Sequence, residues 1–121
     1  MNPIVALVIA MSFTVVGELL LKHGMNQVGS LDLTGWEAIP QLIRTFSNLF
    51  VLVGFVLIFG GALFWLSVLS KVNLSWAYPM LSFNYILVIF LSALFLNEPI
   101  TAWRIAGVLT IIAGVFMIYR S

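Results

Sequence analysis

The sequence has no cysteine and very little charge. Without a thiol there is no disulfide framework, thiolate metal site or dithiol redox pair. Only 7% of the 121 residues are Asp, Glu, Lys or Arg, against roughly a quarter in an ordinary soluble domain. Five basic and four acidic side chains leave a net charge of +1, which gives no electrostatic footprint for nucleic acid. One histidine and four scattered acids offer little material for acid–base chemistry. The signatures His-Glu-x-x-His, Gly-x-Ser-x-Gly and the phosphate loop are all missing. The sequence therefore predicts no catalytic residue, no metal, no cofactor and no enzyme activity.

What is present is apolar. Hydrophobic residues make up 63% of the chain, too many for so small a domain to hide from water. Four apolar stretches stand out, at about residues 4–21, 49–69, 74–96 and 102–119. Each is close to the ~20 residues that a helix needs to cross a bilayer. They do not alternate polar and apolar residues as barrel strands would, so helices that satisfy their own backbone are expected. The fold class read from the sequence is all-α: a single transmembrane domain over residues 1–121, a four-helix bundle paired as a dimer. The first stretch lacks the basic flank and cleavage site of a secretory signal and reads as a retained helix.

Residues 23–48 form a long connection that opens with Gly24, Gly29 and Ser30. Thr34 and Glu37 fit a capping box. Trp36, Ile39, Ile43, Phe46 and Phe50 then recur at helical steps. An amphipathic helix over about 35–46, lying in the membrane interface, is expected. The two other connections are short, so neighbouring spans are antiparallel and both termini share one side. That side carries Lys71 and Arg120, and the opposite side carries Lys22, Arg44 and Arg104. Two against three is a weak bias under the positive-inside rule. Single and dual insertion both stay open.

Polar groups inside spans are costly and point to function. Glu18 lies within the first span, with Lys22 four residues later in the favourable order for a helix pair. Either Glu18 merely pairs with Lys22 near the interface, or it binds a cation, a proton or a polar headgroup. Thr14 lies one turn before Glu18 on the same face. In the third span Pro79 removes a backbone hydrogen bond and predicts a kink. Ser75, Tyr78, Ser82, Tyr85, Ile89 and Ser92 form one face, with Asn84 beside it. This stripe predicts a cavity wall, the alternative being interhelical hydrogen bonds. In the fourth span Gly107, Thr110 and Gly114 predict a close helix–helix contact, the dimer interface.

Four spans, the pair Ala77-Tyr78 and the run from Gly107 to Val115 resemble the small multidrug resistance proteins of the drug/metabolite transporter superfamily. Asn2-Pro3, Gly17 and Leu20-Leu21-Lys22 extend the likeness to the first span. The resemblance implies a dimer formed through the last helix. The chain departs at two positions. The exporters' proton- and cation-binding glutamate, three residues before the glycine matching Gly17, is Thr14 here, and their functional tryptophan is Leu81. The stretch from Ala77 to Tyr85, followed by Asn97-Glu98-Pro99, resembles another branch more closely: the aminoarabinose-lipid flippase subunits and related small EamA-like proteins. That likeness implies movement of a polyprenyl-phosphate sugar across the bacterial inner membrane, by a homodimer or by a pair of paralogous subunits.

The expected substrate-binding set is Glu18, Thr14, Lys22, Arg44, Tyr78, Ser82, Asn84, Tyr85 and Arg104. The basic members would gather the phosphate. The expected partner is a membrane lipid or lipid-linked sugar. Two other readings stand: a proton-coupled exporter of polyamines or amphipathic cations that uses Glu18, and a non-transporting assembly or regulatory subunit.

Overall fold

The computed structural model describes residues 1–121 and is entirely helical between its connections. Four helical runs are long and apolar enough to cross a membrane. The elements are α1 (Pro3–Val28), α2 (Ala38–Phe46), α3 (Leu49–Leu69), α4 (Leu74–Met80), a 3-10 turn (Leu81–Phe83), α5 (Asn84–Phe95) and α6 (Ala102–Arg120). Both termini and residues 70–73 lie at one end of the bundle, the terminus side. Residues 29–48 and 96–101 lie at the other, the loop side.

Local chemistry explains the helix starts. Asn2 Oδ1 accepts from the Ile4 N–H at 2.8 Å, and Pro3 occupies the first helical position, where its missing N–H costs nothing. Asn48 Oδ1 accepts from the N–H groups of Phe50 and Val51 and starts α3. Thr101 Oγ1 accepts from the Arg104 N–H and starts α6.

Two expectations need correcting. The first helix does not end near Leu21 but continues to Val28, closing on Gly29 at φ +98°, a backbone conformation that suits glycine. The amphipathic helix starts at Ala38 rather than near residue 35, and the capping box does not form. Thr34 instead donates its hydroxyl (2.8 Å) and N–H (3.1 Å) to Asp32 Oδ1. Those bonds make a local turn and hold the Asp32 carboxyl below its ordinary range. The third span, expected over 74–96 with a kink at Pro79, runs over Leu74–Phe95. It is interrupted two residues after Pro79 by the 3-10 turn and resumes at Asn84, as expected where a proline breaks the ladder.

The main packing seam joins α1 to α3 along their length. Gly17 and Gly54 meet backbone to backbone: a Cβ on either would lie 2.7 Å from the carbonyl oxygen of the other. Gly24 packs on Val51, and Gly61 on Ala10 and Thr14. Lipid tails are as apolar as leucine, so this close approach, with its dispersion contacts, holds the pair. A second cluster of Ala6, Leu7, Met11, Val68, Ala77, Met80 and Val115 joins α1, α3, α4 and α6 near the terminus side. The other end of α6 stands away, with residues 101–107 all exposed. Only 17 of 121 residues are buried, and the accessible surface is 8125 Å². A compact chain of this mass would expose roughly 6,500 Å², so lipid or a second subunit must cover much of this one.

Candidate functional site

Between the α1–α3 pair and the broken third span lies a cavity of about 530 Å³. Each wall follows from helical periodicity. Ala10, Thr14 and Glu18 come from α1 at four-residue steps. Ile58, Gly61, Ala62 and Trp65 come from one face of α3. Tyr78, Pro79, Leu81, Ser82, Asn84, Tyr85 and Val88 come from the kinked span. Tyr78, Leu81, Ser82 and Tyr85 share one helical face, and past the 3-10 turn Asn84, which lies beside that face, also lines the wall. The α3 helix leans on α4, but no comparable seam joins it to α5. The cavity is therefore open on that flank, and Glu18, Tyr78 and Tyr85 are exposed.

Asn84 is central in its span, and Glu18 lies toward the loop side of centre, next to Gly17, which packs on Gly54 near the start of α3. Glu18 is the sixteenth of the 26 residues of α1, and Asn84 is the eleventh of the 22 residues of the third span. Because α1 is longer than the hydropathy of the sequence suggests, Glu18 does not lie in its last turns. It also does not pair with Lys22. The Lys22 ammonium turns instead to Glu98, 4.0 Å away, the only ion pair in the chain. Glu18 is thus the single charged group among the cavity-lining residues.

Thr14 donates to the Ala10 carbonyl at 2.8 Å, so only its lone pairs remain for a ligand. That is the one intramolecular hydrogen bond made by a side chain lining the cavity. Asn84 Oδ1 is shut off from solvent with no donor in reach. Trp65 meets the Tyr78 ring edge-on, with centroids 6.3 Å apart.

Six of the nine residues expected to bind substrate line this cavity: Thr14, Glu18, Tyr78, Ser82, Asn84 and Tyr85. Lys22, Arg44 and Arg104 do not. Lys22 lies one turn beyond Glu18. Arg104 donates to the Pro99 carbonyl at 2.6 Å, so both cations hold the 97–101 loop. Arg44 projects, exposed, from the last turn of α2. Ser75, Ile89 and Ser92 of the expected polar stripe fall outside the cavity, and Val88 takes the place of Ile89. The α3 wall was missed. Ile58, Gly61, Ala62 and Trp65 share one helix face, but α3 is apolar all round and no polar residue marks that face.

The profile of the EamA-like transporter family matches residues 1–120. The chain belongs to this family. Among curated relatives, a protein of Yersinia pseudotuberculosis is 36% identical over 118 residues, 97% of this chain and 96% of the relative. One of Serratia proteamaculans is 34% identical over 82 residues, 68% of this chain and 71% of the relative. One of Pseudomonas aeruginosa is 41% identical over 61 residues, 50% of this chain; there the match spans about half (53%) of the relative's length. All three are named probable 4-amino-4-deoxy-L-arabinose-phosphoundecaprenol flippase subunit ArnE. No solved structure matches the chain.

Proposed function

We propose that this chain is one subunit of a flippase that carries the head of a polyprenyl-phosphate amino sugar across the bacterial inner membrane. The observation that carries the proposal is the cavity between the spans, open along one flank and lined by a single acidic side chain. A polar head linked to a long isoprenoid tail needs such a slot: the head travels inside while the tail stays in lipid. Glu18 is an acceptor for the sugar ammonium, and charge-assisted hydrogen bonds are among the strong ones. The phosphate would be repelled by Glu18. It belongs with Lys22, Arg44 and Arg104, which lie off the cavity toward the loop side. The relatives' names supply both the amino sugar and the word subunit. The open α6 face around Gly107, Thr110 and Gly114 is the surface for a second copy, antiparallel if insertion is dual, or for a paralogous subunit.

The test is reconstitution in liposomes with a polyprenyl-phosphate amino pentose and an impermeant amine-reactive probe. Glu18→Gln removes a charge-assisted hydrogen bond worth about 1.5–3 kcal/mol and is expected to slow translocation by roughly ten- to a hundredfold. Lys22→Ala and Arg104→Ala are expected to weaken capture of the phosphate. If all three variants translocate like the parent, the site assignment is wrong.

The lone acidic residue of the cavity favours a second reading. A carboxyl group in a cavity between spans also suits proton-coupled export of a polyamine or amphipathic cation. That reading requires substrate-driven proton release that disappears in Glu18→Gln.

A further inference from the structure

The charge of the cavity leaves one of its residues without a role. Asn84 sits at the middle of the third span, and its side-chain amide makes no hydrogen bond within the chain. Asn26, Asn73 and Asn97 are exposed at the helix ends and connections, and the remaining amides have local work. Asn2 caps α1, Asn48 caps α3 and donates to Gln27, and Gln41 accepts from the Asp32 N–H. An unpaired amide buried at membrane depth is unfavourable, and leucine would fill the position without that cost. Polar groups kept at such depth mark substrate paths more often than packing.

The local backbone fixes where the amide stands, and no hydrogen bond within the chain fixes which way it faces. Asn84 follows the 3-10 turn, and its own N–H is satisfied by the carbonyls of Leu81 and Ser82. Its Cα is thereby held while the side chain has no partner to restrain it. An amide offers an acceptor at one end and donors at the other, and a half-turn about its last torsion exchanges them. Glu18, as a carboxylate, only accepts. The two residues lining one cavity are thus suited to different groups, Glu18 to an ammonium and Asn84 to a hydroxyl, which both donates and accepts.

We propose that Asn84 is a specificity-determining residue that binds a ring hydroxyl of the ligand while Glu18 holds its ammonium. The cavity then selects a compact amino polyol over a simple amine of the same size. This rests on the reading that an amino-sugar head occupies the cavity.

The test uses the full chain in lipid nanodiscs with Trp65, a cavity wall residue, left as the sole tryptophan by Trp36→Phe, Trp76→Phe and Trp103→Phe. Quenching of Trp65 is titrated with two probes: soluble 4-amino-4-deoxyarabinose, and cyclohexylamine, which has the ammonium and no hydroxyl. The parent is expected to bind both, the amino sugar more tightly. Asn84→Leu is expected to weaken the amino sugar about tenfold or more and leave cyclohexylamine unchanged. Asn84→Ser keeps a smaller hydrogen-bonding group and is expected to lose about threefold, which covers the case of a misfolded leucine variant. Glu18→Gln is expected to weaken both probes. Equal weakening of both probes by the Asn84 variants would reduce Asn84 to a packing residue and overturn the proposal. So would no change with either probe. If the parent binds neither probe, the flippase reading fails and the proposal goes with it. That outcome is distinct from Asn84→Leu binding the amino sugar as well as the parent does.

Discussion

Two parts of this molecule carry the same glycine pattern and use it in opposite ways. In the α1–α3 pair, Gly17 and Gly24 are seven residues apart, as are Gly54 and Gly61, and all four are filled by the facing helix. In α6, Gly107 and Gly114 are also seven apart, yet a Cβ at either would meet nothing within 4 Å. Seven residues is close to two turns, so each pair marks one helix face. Such spacing says that a backbone wants to approach another closely. It does not say whether the other belongs to the same chain. Here α1 and α3 answer each other, and α6 is left without an answer.

The largest effect is expected at the closed seam. Gly17→Leu and Gly54→Leu each force side-chain atoms into a facing backbone carbonyl, which cannot rotate away. Overpacking typically costs about 1–3 kcal/mol, and these sites are expected at or above the top of that range. Gly60→Ala is the control, since its Cβ would rest 3.8 Å from the Phe13 ring, an ordinary contact. Reversible unfolding in mixed detergent micelles measures the difference. A Gly17→Leu protein as stable as the Gly60→Ala protein would mean that the seam is looser than it looks.

That seam also explains what was hard to read. The end of α1 was hidden because Lys22-His23-Gly24 ends the apolar run. The helix continues past it because Gly24 packs on Val51 and Asn48, a tertiary reason that hydropathy cannot contain. The capping box failed because Thr34 found a nearer partner in Asp32. Such local side-chain bonds compete with helix caps. The kink and the cavity residues Tyr78, Ser82, Asn84 and Tyr85 were legible, since proline chemistry and helical spacing are local. The facing wall on α3 was not, because that helix is apolar all round and gives no facial asymmetry to read.

A smaller effect on the fold, and a larger one on assembly, is expected at the open face. Gly107→Leu and Gly114→Leu add side chains to empty space, so the stability of a single chain should move by no more than about 0.5 kcal/mol. If a partner helix packs there, the same substitutions should abolish association, read by single-molecule photobleaching in bilayers. Loss of association with an unchanged fold would sharpen the contrast between the two regions. Unchanged association would move the partner contact elsewhere, the apolar crevice between α5 and α6 being next in line. That crevice, of about 190 Å³, is lined only by Ile, Val, Leu and Phe side chains, Ile89 and Ile105 among them.

The smallest effect tests how the open helix is held to the closed pair. On the terminus side α6 is anchored by Val115 within the shared apolar cluster. On the loop side the tie is electrostatic: Lys22 of α1 to Glu98, in the loop that leads into α6, at 4.0 Å. Both side chains are partly solvated, 53% and 38% exposed, and such pairs are worth at most about 1 kcal/mol and are screened by salt. Glu98→Gln is therefore expected to cost less than about 1 kcal/mol, and the cost should shrink as salt is raised. Spin labels on α1 and on the loop-side end of α6 should show a broader distance distribution while the Val115 end stays in place. If Glu98→Gln instead destabilises the protein as much as a seam glycine substitution, the apolar cluster is not the hinge. The loop-side tether would then be what positions α6 against the rest of the bundle.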